Sequence, residues 1–131
     1  MNIFKCTVYF EDTDAIQVVY HANYLKFCDR ARTQWMEDLG ISFSQLLEEE
    51  ASFVVADANM RFIAPARLGE RLEVHSSVSH FGRASITFSQ LVKQADSQKT
   101  LCDVTIKCAY VSGAELKPTR MPRHYPSLFS H

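Results

Sequence analysis

Ala22-Asn23-Tyr24-Leu25-Lys26-Phe27-Cys28-Asp29-Arg30-Ala31-Arg32-Thr33-Gln34-Trp35-Met36-Glu37-Asp38-Leu39-Gly40 is the one long helical pattern in this chain. Tyr24, Phe27, Cys28, Ala31, Trp35 and Leu39 fall on a single stripe, while Lys26, Asp29, Arg30, Glu37 and Asp38 lie mostly off it. That spacing predicts a helix with one buried face. Gly40 is placed to stop it, because a left-handed residue closes a helix most easily as glycine. A lone amphipathic helix needs a partner surface, and everything around it is patterned as strand.

Upstream, Phe4, Cys6, Val8 and Phe10 alternate with Lys5, Thr7 and Tyr9, which predicts a half-buried strand over Ile3–Phe10. Downstream, Ser42 with Gln45 has the spacing of a capping box, so a short second helix runs to about Leu47. Alternation resumes from Phe53 and ends at Pro65. Three further strands carry Leu72, Val74 and Val78, then Ile86, Phe88 and Val92, then Val104, Ile106, Cys108 and Tyr110. Turn residues at Leu68-Gly69, Gly82-Arg83 and Asp96-Ser97 separate them. The tail from about residue 114 holds Pro118, Pro122 and Pro126 and reads as irregular. The order β–α–β–β–β–β with tight turns is an α+β domain, a five-stranded antiparallel sheet covered by one long helix. Phe53, Val55, Ile63, Phe81 and Leu91 leave its second face mixed, as a face partly covered by another subunit would be.

The totals narrow the class. A chain of 131 residues forms one domain with room for a sizeable core. A net charge of −1 argues against a general nucleic-acid binder. No apolar run reaches the length of a membrane span, and the first residues lack a signal-peptide layout, so a cytoplasmic location is expected. Cys6, Cys28, Cys102 and Cys108 do not pair as CxxC and read as free, buried thiols. The five histidines are not spaced for zinc.

The stretch just before the helix, Asp12-Thr13-Asp14-Ala15-Ile16-Gln17-Val18-Val19-Tyr20-His21-Ala22, sets carboxylates and a histidine around a short apolar run. A carboxylate can attack a carbonyl or activate water, and unpaired amides at a helix start can hold the oxyanion that forms. That combination suits acyl transfer. No glycine-rich phosphate loop is present, so nucleotide hydrolysis is not indicated.

With Tyr9-Phe10-Glu11-Asp12-Thr13-Asp14, Val18-Val19-Tyr20-His21-Ala22-Asn23-Tyr24, Asp29-Arg30-Ala31-Arg32, Phe53-Val54-Val55 and Ala64-Pro65-Ala66-Arg67-Leu68, nearly the whole chain resembles the 4-hydroxybenzoyl-CoA thioesterase-like branch of the hotdog superfamily. Within that branch it resembles the bacterial acyl-CoA thioesterases associated with the Tol–Pal system. The resemblance implies the hotdog fold, a curved sheet wrapped around a central helix. It implies hydrolysis of acyl-CoA thioesters, with acyl carrier protein thioesters as a second substrate form. It also implies a homodimer or homotetramer with sites between subunits, and no cofactor beyond the CoA of the substrate.

Carried onto this chain, the resemblance makes Asp14 the nucleophile or general base. His21 then orients Asp14 or bonds the thioester carbonyl, and Tyr20 lines the acyl pocket. The backbone amides of Tyr20, His21 or Ala22 become the oxyanion donors, and Asp12 takes a structural role. The family has glycine where this chain has Gln17, which either reshapes the loop or narrows the site. Arg83, with Ser85 nearby, marks the path of the nucleotide, and Arg61, Arg67, Arg120 and Arg123 are further candidate cations. Two other readings fit the same fold: a module that binds acyl thioesters or acyl carrier protein without turnover, and a hydratase or dehydratase.

Overall fold

The computed structural model describes residues 1–130, so His131, the last residue of the expected domain, lies outside the described residues. The strands are β1 (Asn2–Thr7), β2 (Ala51–Phe62), β3 (Arg71–Phe81), β4 (Ser85–Gln94), β5 (Thr100–Ser112) and a two-residue β6 (Lys117–Pro118). The helices are α1 (Asn23–Asp38), α2 (Phe43–Glu48) and α3 (Tyr125–Leu128). All pairings are antiparallel, in the order β1-β3-β4-β5-β2, with β6 beside β5.

The helix stripe lies against the sheet as its spacing requires. Tyr24, Phe27, Cys28, Ala31 and Trp35 are buried, and they meet Leu72, Val74, Ile86, Phe88, Val104 and Ile106 from the strands. Gly40 stops α1 at φ +90°, with its amide on the Glu37 carbonyl and the Ile41 amide on the Met36 carbonyl. Those two bonds satisfy carbonyls that the helix end would otherwise leave free. Ser42 caps α2 by accepting from the Gln45 amide, but the Gln45 side chain turns forward to Glu49, so the box is half formed.

Three expectations need correction. First, β1 ends at Thr7, not Phe10, and Phe10 is 75% exposed. The Tyr9 amide donates to the Asp12 carboxylate while the Asp12 amide donates to the Tyr9 carbonyl, and this winds Phe10–Asp12 into a single 3-10 turn. Second, the sheet has a sixth, very short strand. Third, the tail is not irregular: it adds β6 and α3 and buries Met121, Tyr125 and Phe129. Phe129 packs its ring on Trp35, Phe81 and Phe88, so the end of the chain closes one end of the core.

Burial pushes the Cys28 thiol up to about 12 and the Cys6 and Cys102 thiols up to about 11. These free cysteines are thus protonated at neutral pH and act as small apolar side chains.

Candidate active site

The motif folds as a short hairpin leading into α1. Thr13 bridges Val19, and the Asp14 amide donates to the Val18 carbonyl at 2.9 Å. Ala15, Ile16 and Gln17 form the three-residue loop, closed by the Gln17 amide donating to the Asp14 carbonyl at 3.0 Å. A loop of this length needs a left-handed residue at its last position. Gln17 supplies it at φ +63°, the conformation a glycine would take without strain. The left-handed backbone at this position is one that glycine adopts readily, and Gln17 adopts it here. Substituting Gln17→Gly is expected to raise the unfolding free energy by about 1 kcal/mol. A melting temperature that stays level or falls in Q17G would contradict this account of the strain.

Asp14 is exposed at the head of this loop. One oxygen accepts from the Ile16 amide at 3.0 Å, and among the described residues the other has no hydrogen-bond partner. Asp12 differs in every respect. It is 4% exposed, with one oxygen on Asn23 Nδ2 at 2.8 Å and the other on the Tyr9 amide at 2.9 Å. Its carbonyl also accepts from the Tyr20 amide at 2.9 Å. Asp12 therefore fastens the hairpin to the start of α1, the structural role expected of it.

That last bond corrects the expected set of oxyanion donors. The Tyr20 amide is engaged by Asp12, whereas among the described residues the amides of His21 and Ala22 have no acceptor within the chain. The side chains of Tyr20 and His21 are both exposed, with ring centroids 4.4 Å apart, and His21 meets the edge of Phe62 at 6.3 Å. No hydrogen bond joins His21 to Asp14 among the described residues, so the orienting role weighed for His21 is not realised in the chain.

The segment after β2 packs against the motif. The Val19 amide donates to the Ala66 carbonyl, the Ala66 amide donates to the Tyr24 hydroxyl, and the Leu68 amide donates to the Gln17 carbonyl. Burial raises the Tyr24 pKa above its ordinary value, so the hydroxyl stays protonated.

The candidate cations separate. Arg61 sits on β2 opposite Asp103, and strand alternation turns it away from the face on which Phe62 meets His21 and Tyr24. Arg67 is exposed beside the motif, bridged to Val18 through the backbone. Arg83 lies in the β3–β4 turn, where the Gly82 amide donates to the Ser85 carbonyl. The Met121 amide donates to the Arg83 carbonyl, which draws the tail onto that turn. Arg83, Arg120 and Arg123 thus line one groove with Phe81 and Pro122, and none of the three has an ion-pair partner among the described residues. Their convergence depends on the tail, whose prolines hid its order. Arg32 also escaped the helix stripe: it is 5% exposed and donates to Gln90 Oε1 at 2.9 Å, with Asp29 a longer contact at 3.4 Å.

The thioesterase superfamily model matches residues 16–101. The acyl-CoA thioesterase YbgC of Haemophilus influenzae is 37% identical over 98% of this chain and 93% of its own length. This chain belongs to the thioesterase superfamily. Among solved structures of that superfamily's fold, a probable thioesterase from Bartonella henselae superposes with a TM-score of 0.85 at 30% identity, covering 92% of this chain and 98% of its own. A 1,4-dihydroxy-2-naphthoyl-CoA thioesterase from Synechocystis gives 0.90 at 22% identity, with 98% and 94% covered. The curled sheet around α1 is the hotdog fold. Among the described residues of this thioesterase chain, no helix is long and apolar enough to cross a membrane.

Proposed function

We propose that the protein hydrolyses acyl-CoA thioesters to a free acid and CoA, with Asp14 as the reacting carboxylate. The observation that carries this reading is the three-residue hairpin loop. It fixes one Asp14 oxygen on the Ile16 amide, leaves the other open, and leads into a helix start whose His21 and Ala22 amides are unpaired.

Asp14 either attacks the thioester carbonyl carbon or takes a proton from the water that does. The carbonyl oxygen gains the negative charge and accepts from the His21 and Ala22 amides, each such donor lowering the barrier by about 3 kcal/mol. The C–S bond then breaks and the sulfur takes up a proton, from the Asp14 carboxyl in the general-base route, which frees the acid at this step, or from solvent water in the nucleophilic one. If Asp14 is the nucleophile, water opens the mixed anhydride in a second step. Water is the only co-reactant this scheme requires. The His21 ring is free to bond the thioester carbonyl, and Tyr20 lines the acyl side. The groove with Arg83, Arg120 and Arg123 suits the CoA phosphates, since unpaired guanidinium groups recognise phosphate through paired donors. An acyl carrier protein thioester presents the same reacting group. Acyl-CoA as substrate and the free thiols support a cytoplasmic location.

We further infer that a second copy completes the site. Among the described residues, strand β2 pairs only with β5 among the strands, which leaves its other edge without a strand partner over 12 residues. Val55, Ala56, Asp57, Ala58 and Asn59 are exposed in mid-strand, with Val55 at 54%. A long open edge of small and apolar residues suits strand pairing with a copy of itself. The double substitution Val55→Lys with Ala58→Lys is expected to give a monomer by sedimentation and to remove at least ~95% of thiol release, while Asp14 is untouched. A folded monomer with full turnover would end the shared-site reading. Release of free thiol from a panel of acyl-CoAs tests the activity itself.

A further inference from the structure

We propose that Ile16 is a specificity-determining residue that admits straight-chain acyl groups and disfavours those branched or ringed at the carbon next to the thioester carbonyl. The inference deepens the reading above and rests on Asp14 being the reacting carboxylate.

Its basis is where the loop places Ile16. The Ile16 amide donates to Asp14 Oδ1 at 3.0 Å. Ordinary bond lengths then put the Ile16 α-carbon about 4 Å from that oxygen, and its side chain begins one bond further on. The side chain is 75% exposed and fills no part of the core. The loop that carries it is held on both sides. Asp14 bonds to Val18, Gln17 bonds back to Asp14, and the Gln17 carbonyl accepts from the Leu68 amide at 3.0 Å. Ile16 is therefore a fixed apolar projection beside the carboxylate.

A carbonyl carbon under attack sits about 3–3.5 Å from the attacking oxygen. The next acyl carbon lies about 1.5 Å beyond it. The attacking oxygen is the open one, across the carboxylate from the oxygen that Ile16 holds, so an acyl chain running over the Ile16 side of Asp14 meets this side chain within its first carbons. A β-branched side chain has little rotamer freedom, so it acts as a wall and does not fold aside. A single straight chain passes such a wall, but a second substituent or an aryl ring at the same carbon competes for its space. The neighbouring exposed side chains favour acyl carbons over the polar pantetheine arm. Phe62, Ile63 and Leu68 are 54%, 53% and 38% exposed on the segment bonded to the loop.

The test compares kcat/KM for butanoyl-, hexanoyl-, 2-methylpropanoyl- and benzoyl-CoA in wild type, Ile16→Ala, Ile16→Val and Ile16→Phe, with the oligomer mass of each measured by sedimentation. The wild type is expected to favour the two straight chains. I16A should raise the ratio of 2-methylpropanoyl or benzoyl to butanoyl turnover at least ~10-fold, about what one or two methyl groups decide in an apolar site. I16V should return the ratio close to wild type, and I16F should lower it. A wild type that prefers the branched or aryl substrates overturns the proposal. So does an I16A ratio within about twofold of wild type, or a shift that appears only with a changed oligomer mass. The parallel variant Asp14→Asn separates the two readings. Loss of turnover in D14N with a flat I16A ratio removes only the role of Ile16, whereas full turnover in D14N removes the premise. A wild type inactive on all four substrates overturns the proposal, since neither straight chain is then admitted.

Discussion

Replacing Asp14 by asparagine is expected to lower turnover of the best acyl-CoA at least ~100-fold, a loss of about 2.7 kcal/mol of transition-state stabilisation. The substitution is nearly isosteric, and the side-chain oxygen of asparagine can still accept from the Ile16 amide that now holds Asp14 at 3.0 Å. The loop bonds from Asp14 to Val18 and from Gln17 to Asp14 are made by the backbone and do not change. What is lost is the charge: a neutral amide neither attacks a carbonyl nor takes a proton from water. The melting temperature should therefore stay close to wild type while thiol release collapses. Retention of activity within a few-fold in a folded D14N would remove Asp14 from the chemistry and move the search to His21. A D14N that melts early would instead mark Asp14 as a loop anchor, the role the structure gives to Asp12.

The contrast between these two carboxylates shows what a one-dimensional reading can reach. Asp12 and Asp14 lie two residues apart, and nothing in composition separates them; the resemblance to a known family chose Asp14. The structure separates them physically: Asp12 is buried with both oxygens engaged, and Asp14 is exposed with one oxygen open. The helix and most strands were legible because their periods are long and regular, and a stripe such as Tyr24, Phe27, Ala31 and Trp35 leaves few alternatives. The end of β1 was not, since apolar alternation continues through Phe10 while a side-chain bond to Asp12 overrides it. The tail failed for a related reason. Proline marks where regular structure is broken, but it gives no sign that Met121, Tyr125 and Phe129 return to the core. The groove of three arginines follows from that return and was only a scatter of cations in the sequence. The Tyr20 amide shows the limit most sharply: its partner, the Asp12 carbonyl, is a backbone atom eight residues away that no residue pattern encodes.

Arg32 and Gln90 set up the largest expected loss of stability. Gln90 is fully buried on β4; its carbonyl oxygen accepts from Arg32, and its amide donates to Ser76 Oγ and the Cys28 carbonyl, each at 3.0 Å. One side chain thus ties the middle of α1 to β3 and β4 and solvates the near-buried guanidinium. Replacing it with leucine keeps much of the volume but leaves Arg32 with the 3.4 Å contact to an exposed Asp29 and the weak acceptor of the Cys108 thiol. Breaking one side of such a buried charged contact lowers stability by about 3–5 kcal/mol. For a domain of this size that lowers the melting temperature by about 10–20 °C. The decisive comparison is the double variant Arg32→Met with Gln90→Leu. It removes the charge along with its partner, so most of the loss should be recovered despite the missing bonds to Ser76 and Cys28. A double variant no more stable than Gln90→Leu alone would mean that the bonds to Ser76 and Cys28, not the stranded charge, dominate. A loss below ~1 kcal/mol in the single variant would mean that water reaches Arg32 when the helix breathes. Because α1 also carries the His21 and Ala22 amides at its start, the same network that holds the helix on the sheet holds those donors in place. Gln90→Leu should therefore lose turnover at temperatures where the wild type is still fully folded, and regain it when Arg32→Met is added.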